Sequence, residues 1–251
     1  MKTILITGAT SGIGEAIAWR FAREKQALIL TGRRSDRLET LKKNIENRYE
    51  AKVLTLCFDV REYHQVETAI CSLPDEWQTI DVLVNNAGLA AGLAPIHTAS
   101  LSDWDQMIDT NIKGLLYVTR VVSPGMVERQ SGHIINLGSI SGKKMYPNGA
   151  VYCATKHAVK ALSEGMRMDF LPYGIRVTEV CPGAVETEFS LVRFKGDQQR
   201  AGQVYAGFTP LTAEDIAETV YYAVAQPPHI DIQELLVMPT AQVDATMIHR
   251  K

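Results

Sequence analysis

Apolar and polar positions along the chain fall into two alternating kinds of segment. Short apolar runs rich in β-branched residues recur at 3–7 (TILIT), 27–31 (ALILT), 53–58 (VLTLCF), 81–88 (DVLVNNAG), 133–139 (HIINLGS), 175–180 (IRVTEV) and 234–239 (ELLVMP). Runs of this length and composition predict buried strands. Between them the apolar residues recur at helical spacing. Ile13, Ile17, Ala18 and Phe21 mark a first helix, and Leu38, Leu41 and Ile45 a second over 36–48. A third is predicted over about 62–73, stopped by Leu73-Pro74. A long one fills 101–130, with Ser102 as its N-cap and a break at Pro124-Gly125. Two more cover about 150–170 and 212–225, the last with Thr212 as cap. Strands alternating with helices predict an α/β fold: a doubly wound parallel sheet of about seven strands with helices on both faces. Residues 1–251 are expected to form a single domain. The polar stretch 184–208 has little periodicity and is expected to be a mobile lid; 240–251 carries no predicted element.

In such sheets ligands sit outside the C-terminal strand ends. Gly8, Arg33, Asp59 and Asn85 all fall there. The first strand runs into a G-x-x-x-G-x-G loop, with Gly8, Thr10, Ser11, Gly12, Ile13 and Gly14, and then into a helix. Glycines let the backbone approach a pyrophosphate, and a helix N-terminus offers free N–H groups. A plain turn is the alternative; the flanking strand and helix favour a Rossmann-type dinucleotide site. The second strand ends in Gly32-Arg33-Arg34, where an acid would hold the ribose of NAD. Two guanidinium groups suit the 2′-phosphate of NADP instead; the alternative is a pair of solvated charges.

Composition adds mainly exclusions. Apolar residues are 46% and charged residues 22%, as in ordinary globular proteins. A net charge of −2 shows no footprint for nucleic acid or an anionic membrane. Cys57, Cys71, Cys153 and Cys181 form no C-x-x-C pair and are expected to be reduced core thiols. The six histidines are scattered, and no metal site is expected. The apolar run at the N-terminus is too short for a signal peptide, and no stretch reaches membrane-spanning length. A cytoplasmic location is the expectation.

The stretch Ser139–Lys156, SISGKKMYPNGAVYCATK, carries the reactive pattern. Tyr152 and Lys156 are four apart, hence on one helix face. A phenol beside an ammonium is an acid–base device, and Ser139 ends the fifth strand at the same sheet edge.

With T-G-A-T-S-G-I-G at 7–14, Asp59-Val60, N-N-A-G at 85–88, Asn111, Ser139, Y-x-x-x-K at 152–156 and P-G at 182–183, the chain resembles the short-chain dehydrogenase/reductase family over its whole length. Within it, NNAGLA, DWDQMIDTN, PGMVERQSGHIIN and VRFKGD are most similar to the NADP-dependent 3-hydroxy acid dehydrogenases that oxidise L-serine and L-allo-threonine. The resemblance implies roles. Tyr152 would be the acid–base, Ser139 would bond the substrate oxygen, and Lys156 would bind the nicotinamide ribose. Asn111 would support a water linking Lys156 to bulk solvent. Asp59 and Val60 would meet adenine, and Asn86, Ala87, Pro182, Gly183, Val185 and Thr187 would complete the cofactor site. It also implies a dimer or tetramer built on the helices at 101–130 and 150–171, with a homotetramer expected. Cys181, where many relatives carry Asn, and Gly142-Lys143-Lys144 depart from the pattern.

A free phenol titrates near 10, so an ammonium and an oxidised nicotinamide would have to pull Tyr152 down by about 3 units to make it a base at neutral pH. A 3-hydroxy acid also needs a carboxylate donor. Arg193 in the lid is the candidate, as a forked pair; a surface or subunit contact is the alternative. The function expected is hydride transfer between NADP and a small hydroxy acid. A reductase for a 3-oxoacyl carrier protein, a sugar or another ketone stays open, as does a non-catalytic NADP-binding regulator.

Overall fold

The computed structural model describes residues 1–251. Seven strands form one sheet in the order β3-β2-β1-β4-β5-β6-β7, every neighbouring pair parallel. They are β1 (Thr3–Ile6), β2 (Ala27–Gly32), β3 (Val53–Cys57), β4 (Val82–Asn85), β5 (Gly132–Leu137), β6 (Ile175–Pro182) and β7 (Glu234–Val237). All seven coincide with the predicted runs.

Side chains alternate across a strand, and here both faces are covered. Ile4 and Ile6 of β1 join one core with α1 (Gly12–Arg23), α2 (Ser35–Tyr49) and α9 (Ala213–Ala225). Leu5, one position over, joins the opposite core with α3 (Tyr63–Cys71), α5 (Leu115–Glu128) and α6 (Ala150–Phe170). Thr212 caps α9 in a reciprocal box with Asp215, as its sequence position predicts.

The long helix predicted over 101–130 differs in three respects. Its N-cap is Ser100, not Ser102, which sits inside α4 (Leu101–Ile108). It does not break at Pro124, which lies inside α5. Proline removes one bond to the carbonyl four residues back. Here both Arg120 and Pro124 are exposed, so that carbonyl is on the solvent side. Between α4 and α5 the chain widens into a π-helical turn, Asp109–Gly114, which apolar periodicity does not reveal. The lid is also more ordered than expected, with two short helices, α7 (Phe189–Arg193) and α8 (Gln198–Gln203). Of the four thiols predicted to be in the core, only Cys153 and Cys181 are buried. Cys57 ends the edge strand β3 and Cys71 ends α3, and both are exposed.

His133 lies on β5, at the end of the sheet away from Asn136 and Leu137. It is 1% exposed, and its Nε2 lies 2.8 Å from Thr178 Oγ1. Burial lowers its pKa to about 3, with Arg176 and Lys2 adding repulsion. The unfolded chain therefore binds the extra proton first. The corresponding stability is complete above pH ~6.5 and is lost as pH falls towards 3, at about 1.4 kcal/mol per unit. Urea denaturation should lose about 2 kcal/mol from this group between pH 6.5 and 5. His133→Gln should show a correspondingly flatter pH dependence. An identical slope in the variant would remove His133 as the cause.

Candidate active site

The first βα turn forms the floor of a cavity of about 480 Å³ along the C-terminal strand ends. Gly8 and Gly12 hold φ of +66° and +54°, a region that side chains disfavour, so the loop can curl under the cavity. Thr10, Ser11, Gly12 and Ile13 line it at the start of α1. Gly14 does not, contrary to expectation. A Cβ there would overlap Gly8 O and Asn86 Nδ2, so this glycine seats the helix against the sheet. Asn86 secures the same junction, donating from Nδ2 to Thr7 O at 2.8 Å. Ala87 N donates to Thr7 Oγ1 at 2.9 Å. Asn85 is structural: it donates to Thr119 Oγ1 and Asn136 Oδ1, tying β4 to α5 and β5.

Arg34 is the better-fixed of the two arginines. Its Nε and Nη2 donate to Thr10 Oγ1 at 3.1 and 2.7 Å, and Nη2 also to Ser11 Oγ at 2.9 Å. Its Nη1 faces Glu188 at 3.3 Å, and Arg37 bonds the same carboxylate at 2.9 Å. Arg33 is more exposed and lies 3.7 Å from Asp59. Burial opposes the Asp59 charge, but the Arg61 fork outweighs it and holds the carboxyl below its usual range. Asp59 and Val60 line the cavity beside Arg33 and Arg34.

Across the cavity, Ser139 stands two residues past the end of β5. Its Oγ accepts from Ser141 N at 3.0 Å, which caps a short 3-10 turn. Tyr152 and Lys156 follow on successive turns of α6, each 8% exposed. Lys156 Nζ donates to Leu137 O at 2.7 Å. Burial lowers Lys156 to about 8, against the pull of Cys181 and Glu179. Burial also raises the Tyr152 phenol, and Tyr146 adds to this, while Ser139 and Arg193 oppose it. The protein's own groups therefore leave the phenol raised, and the expected lowering rests on the positive charge of an oxidised nicotinamide as well. The ammonium is directed at a backbone carbonyl, and desolvation dominates.

Asn111 does not line the cavity and is 2% exposed. The π-helical turn aims it inward, where Nδ2 donates to Leu89 O and Thr155 Oγ1 and Oδ1 accepts from Leu89 N. A Cβ on Gly88 would lie 3.2 Å from Asn111 Oδ1 and 3.7 Å from Lys156 Nζ, so the two side chains flank that glycine.

Pro182, Gly183, Val185 and Thr187 line the wall beyond β6, and Arg193 lines the lid side. The Arg193 guanidinium carbon is 5.8 Å from the Tyr152 ring centroid. Nη2 donates to Tyr146 Oη at 2.7 Å and Nε to Gly92 O at 3.3 Å, leaving Nη1 without a protein partner. Sequence reasoning missed Tyr146, which positions this arginine, and also Arg37 and Glu188. Arg37, in the first turn of α2, follows the N-cap residue Arg34 by three residues, a spacing that could have flagged it. Nothing local marks Tyr146 or Glu188.

Residues 2–197 match the family model described as short chain dehydrogenase. The chain is 50% identical over 250 residues to the NADP-dependent 3-hydroxy acid dehydrogenase YdfG of Salmonella typhi, covering 98% of this chain and 99% of that one. It is 46% identical over 240 residues to sulfoacetaldehyde reductase 2 of Chromohalobacter salexigens, covering 95% and 94%. Among solved structures, a closed form of serine dehydrogenase complexed with NADP+ superposes with a TM-score of 0.92 at 47% identity, covering 99% and 100% of the two chains. With the matching cavity already built from its own residues, the chain belongs to the short chain dehydrogenase family.

Proposed function

We propose that this protein is an NADP-dependent oxidoreductase that transfers hydride between the cofactor and a small 3-hydroxy acid such as L-serine or L-allo-threonine. The observation that carries the substrate class is the place of Arg193. A guanidinium with an unpartnered Nη1 stands beside the buried Tyr152, in the same cavity as the glycine loop and Arg34. The cavity fits the cofactor at both ends: a glycine turn and helix N-terminus for a pyrophosphate, and an oriented guanidinium for a 2′-phosphate.

When bound, the nicotinamide exchanges the hydride and, oxidised, adds the positive charge that favours a phenolate. Tyr152 takes the proton from the substrate hydroxyl, or returns it to the carbonyl in reduction. Ser139, fixed by its bond from Ser141 N, holds the same oxygen. Lys156, anchored on Leu137 O, holds the ribose. Asn111, facing Lys156 across Gly88, supports the path that exchanges its proton with solvent. Arg193 clamps the substrate carboxylate and so orients the carbon that gives up hydride.

Charge-assisted hydrogen bonds of this kind contribute about 1.5–3 kcal/mol. Arg193→Ala should therefore raise KM for L-serine by roughly ten- to a hundredfold, with a much smaller effect on a neutral alcohol. Equal losses on both substrates would refute the clamp. The same guanidinium suits a sulfonate, and the similarity to a sulfoacetaldehyde reductase favours testing that aldehyde in the reducing direction.

The homotetramer is supported by apolar side chains left exposed on the two helices named for it: Leu101, Ile108 and Leu116 on α4 and α5, and Met168 at the end of α6. Light scattering on the purified protein reads the mass directly. A cytoplasmic location is supported by the exposed free thiols Cys57 and Cys71, which persist best in a reducing compartment. No helix is long and apolar enough to cross a membrane.

A further inference from the structure

The two departures from the family pattern, Cys181 and Lys143, meet in space. Glu179 and Cys181 are two apart on β6, so their side chains share one sheet face. Each is 1% exposed. Glu234 is the register partner of Glu179 on β7. Ligand atoms of Glu179, Cys181 and Glu234 all lie within 4.8 Å of one another. No nitrogen or oxygen donor reaches either oxygen of Glu179, and the Cys181 thiol beside it is its one polar neighbour of hydrogen-bonding kind, so a fully buried carboxyl is aimed into the cluster with no strong donor. Lys143 reaches in from the turn after Ser139, but its Nζ pairs with Glu234 Oε2, at 2.5 Å.

We propose that Glu179, Cys181 and Glu234 form a site for one thiophilic divalent cation of the zinc or cadmium class, and that its occupancy slows the enzyme. Tetrahedral ligands at about 2.0–2.3 Å from an ion stand roughly 3.3–3.8 Å apart. A set already within 4.8 Å closes to that spacing by small side-chain rotations. A thiolate among the donors selects soft or borderline ions over magnesium and calcium, which take oxygen ligands. On binding, the thiol proton leaves to solvent and Lys143 gives up Glu234. Glu234 is the most exposed of the three and marks the way in. Spacing rules applied to the sequence could not find the site, because its third ligand arrives from a different strand.

The link to turnover is Gly138. A Cβ there would overlap Glu179 Oε1 and lie 3.0 Å from Cys181 Sγ, so the cluster packs directly on this peptide. On one side of it is Leu137, whose carbonyl accepts from Lys156, and on the other is Ser139. An ion that draws the three ligands together shifts the backbone that positions both.

The test uses full-length protein with Cys57→Ser and Cys71→Ser, so that Cys181 is the one thiol left near an acid. Cadmium chloride is titrated while the ultraviolet thiolate-to-cadmium charge-transfer band and the rate of NADP+ reduction are followed. The band should saturate at one cadmium per chain, and the rate should fall in parallel. Cys181→Ser should abolish the band and the inhibition. Glu179→Gln should weaken binding by more than about tenfold, and Lys143→Met, which removes the competing ammonium, should tighten it severalfold. The site is overturned by no band, by a band that survives Cys181→Ser, or by a Lys143→Met affinity equal to that of the parent. Saturated binding with an unchanged rate overturns the inhibitory role. The binding readout does not depend on which substrate the enzyme takes.

Discussion

Replacing Tyr152 with Phe is expected to lower kcat by about a thousandfold while leaving NADP+ affinity within about twofold. Positioned acid–base groups contribute about 10²–10⁴ in rate, and this phenol is the one group placed to exchange the substrate's proton. The substitution removes a single oxygen. The ring's contact with Phe189, at 5.7 Å between centroids, and its packing with Leu89, Ala91 and Met107 are kept. The fold should therefore be unaffected, and circular dichroism with a cofactor titration checks this. A variant retaining a tenth or more of the parent rate would show that another group moves the proton. Because burial raises the phenol, the oxidative rate should also rise with pH until the Tyr152 of the NADP+ complex has titrated.

Arg34→Ala should weaken NADP+ binding by about thirty- to a hundredfold and NAD+ binding by no more than about threefold. Arg34 is held by Thr10 and Ser11 through Nε and Nη2 and by Glu188 through Nη1, so the guanidinium is already oriented and little order has to be gained when a phosphate arrives. Its removal also leaves Glu188 with Arg37 as its remaining partner, adding uncompensated negative charge where a 2′-phosphate would sit. Arg33, more exposed and drawn towards Asp59, should show a smaller effect on alanine substitution. Calorimetric titrations with both cofactors measure the two affinities. Equal losses for NADP+ and NAD+ would place the discrimination elsewhere.

The sheet was legible because its strands are buried on both faces and so read as continuous apolar runs between glycine and asparagine ends. Gly8, Arg33, Asp59 and Ser139 could be put at one edge from sequence, because each ends or closely follows such a run. Three features were not legible. The π-helical turn that aims Asn111 leaves no mark on apolar periodicity. Gly14 follows the family motif, but its work is close packing, which appears only when Gly8 O and Asn86 are in place. The Arg193–Tyr146–Gly92 contacts join segments 47 and 101 residues apart in sequence, and no local pattern encodes them. The surroundings of Lys156 were only partly legible for a related reason. Four-residue spacing puts Lys156 on the same helix face, but it does not show that Leu137 O takes the ammonium.

The most direct test is a matrix of initial rates. NADP+ and NAD+ are each offered with L-serine, L-allo-threonine, 3-hydroxybutyrate, 3-hydroxypropionate and a simple neutral alcohol. The site built around Arg34 and Arg193 predicts that kcat/KM is highest with NADP+ and a 3-hydroxy acid. It should fall by about tenfold or more when either the 2′-phosphate or the substrate carboxylate is removed. A neutral alcohol turned over as well as the acids, or NAD+ used as well as NADP+, would contradict it.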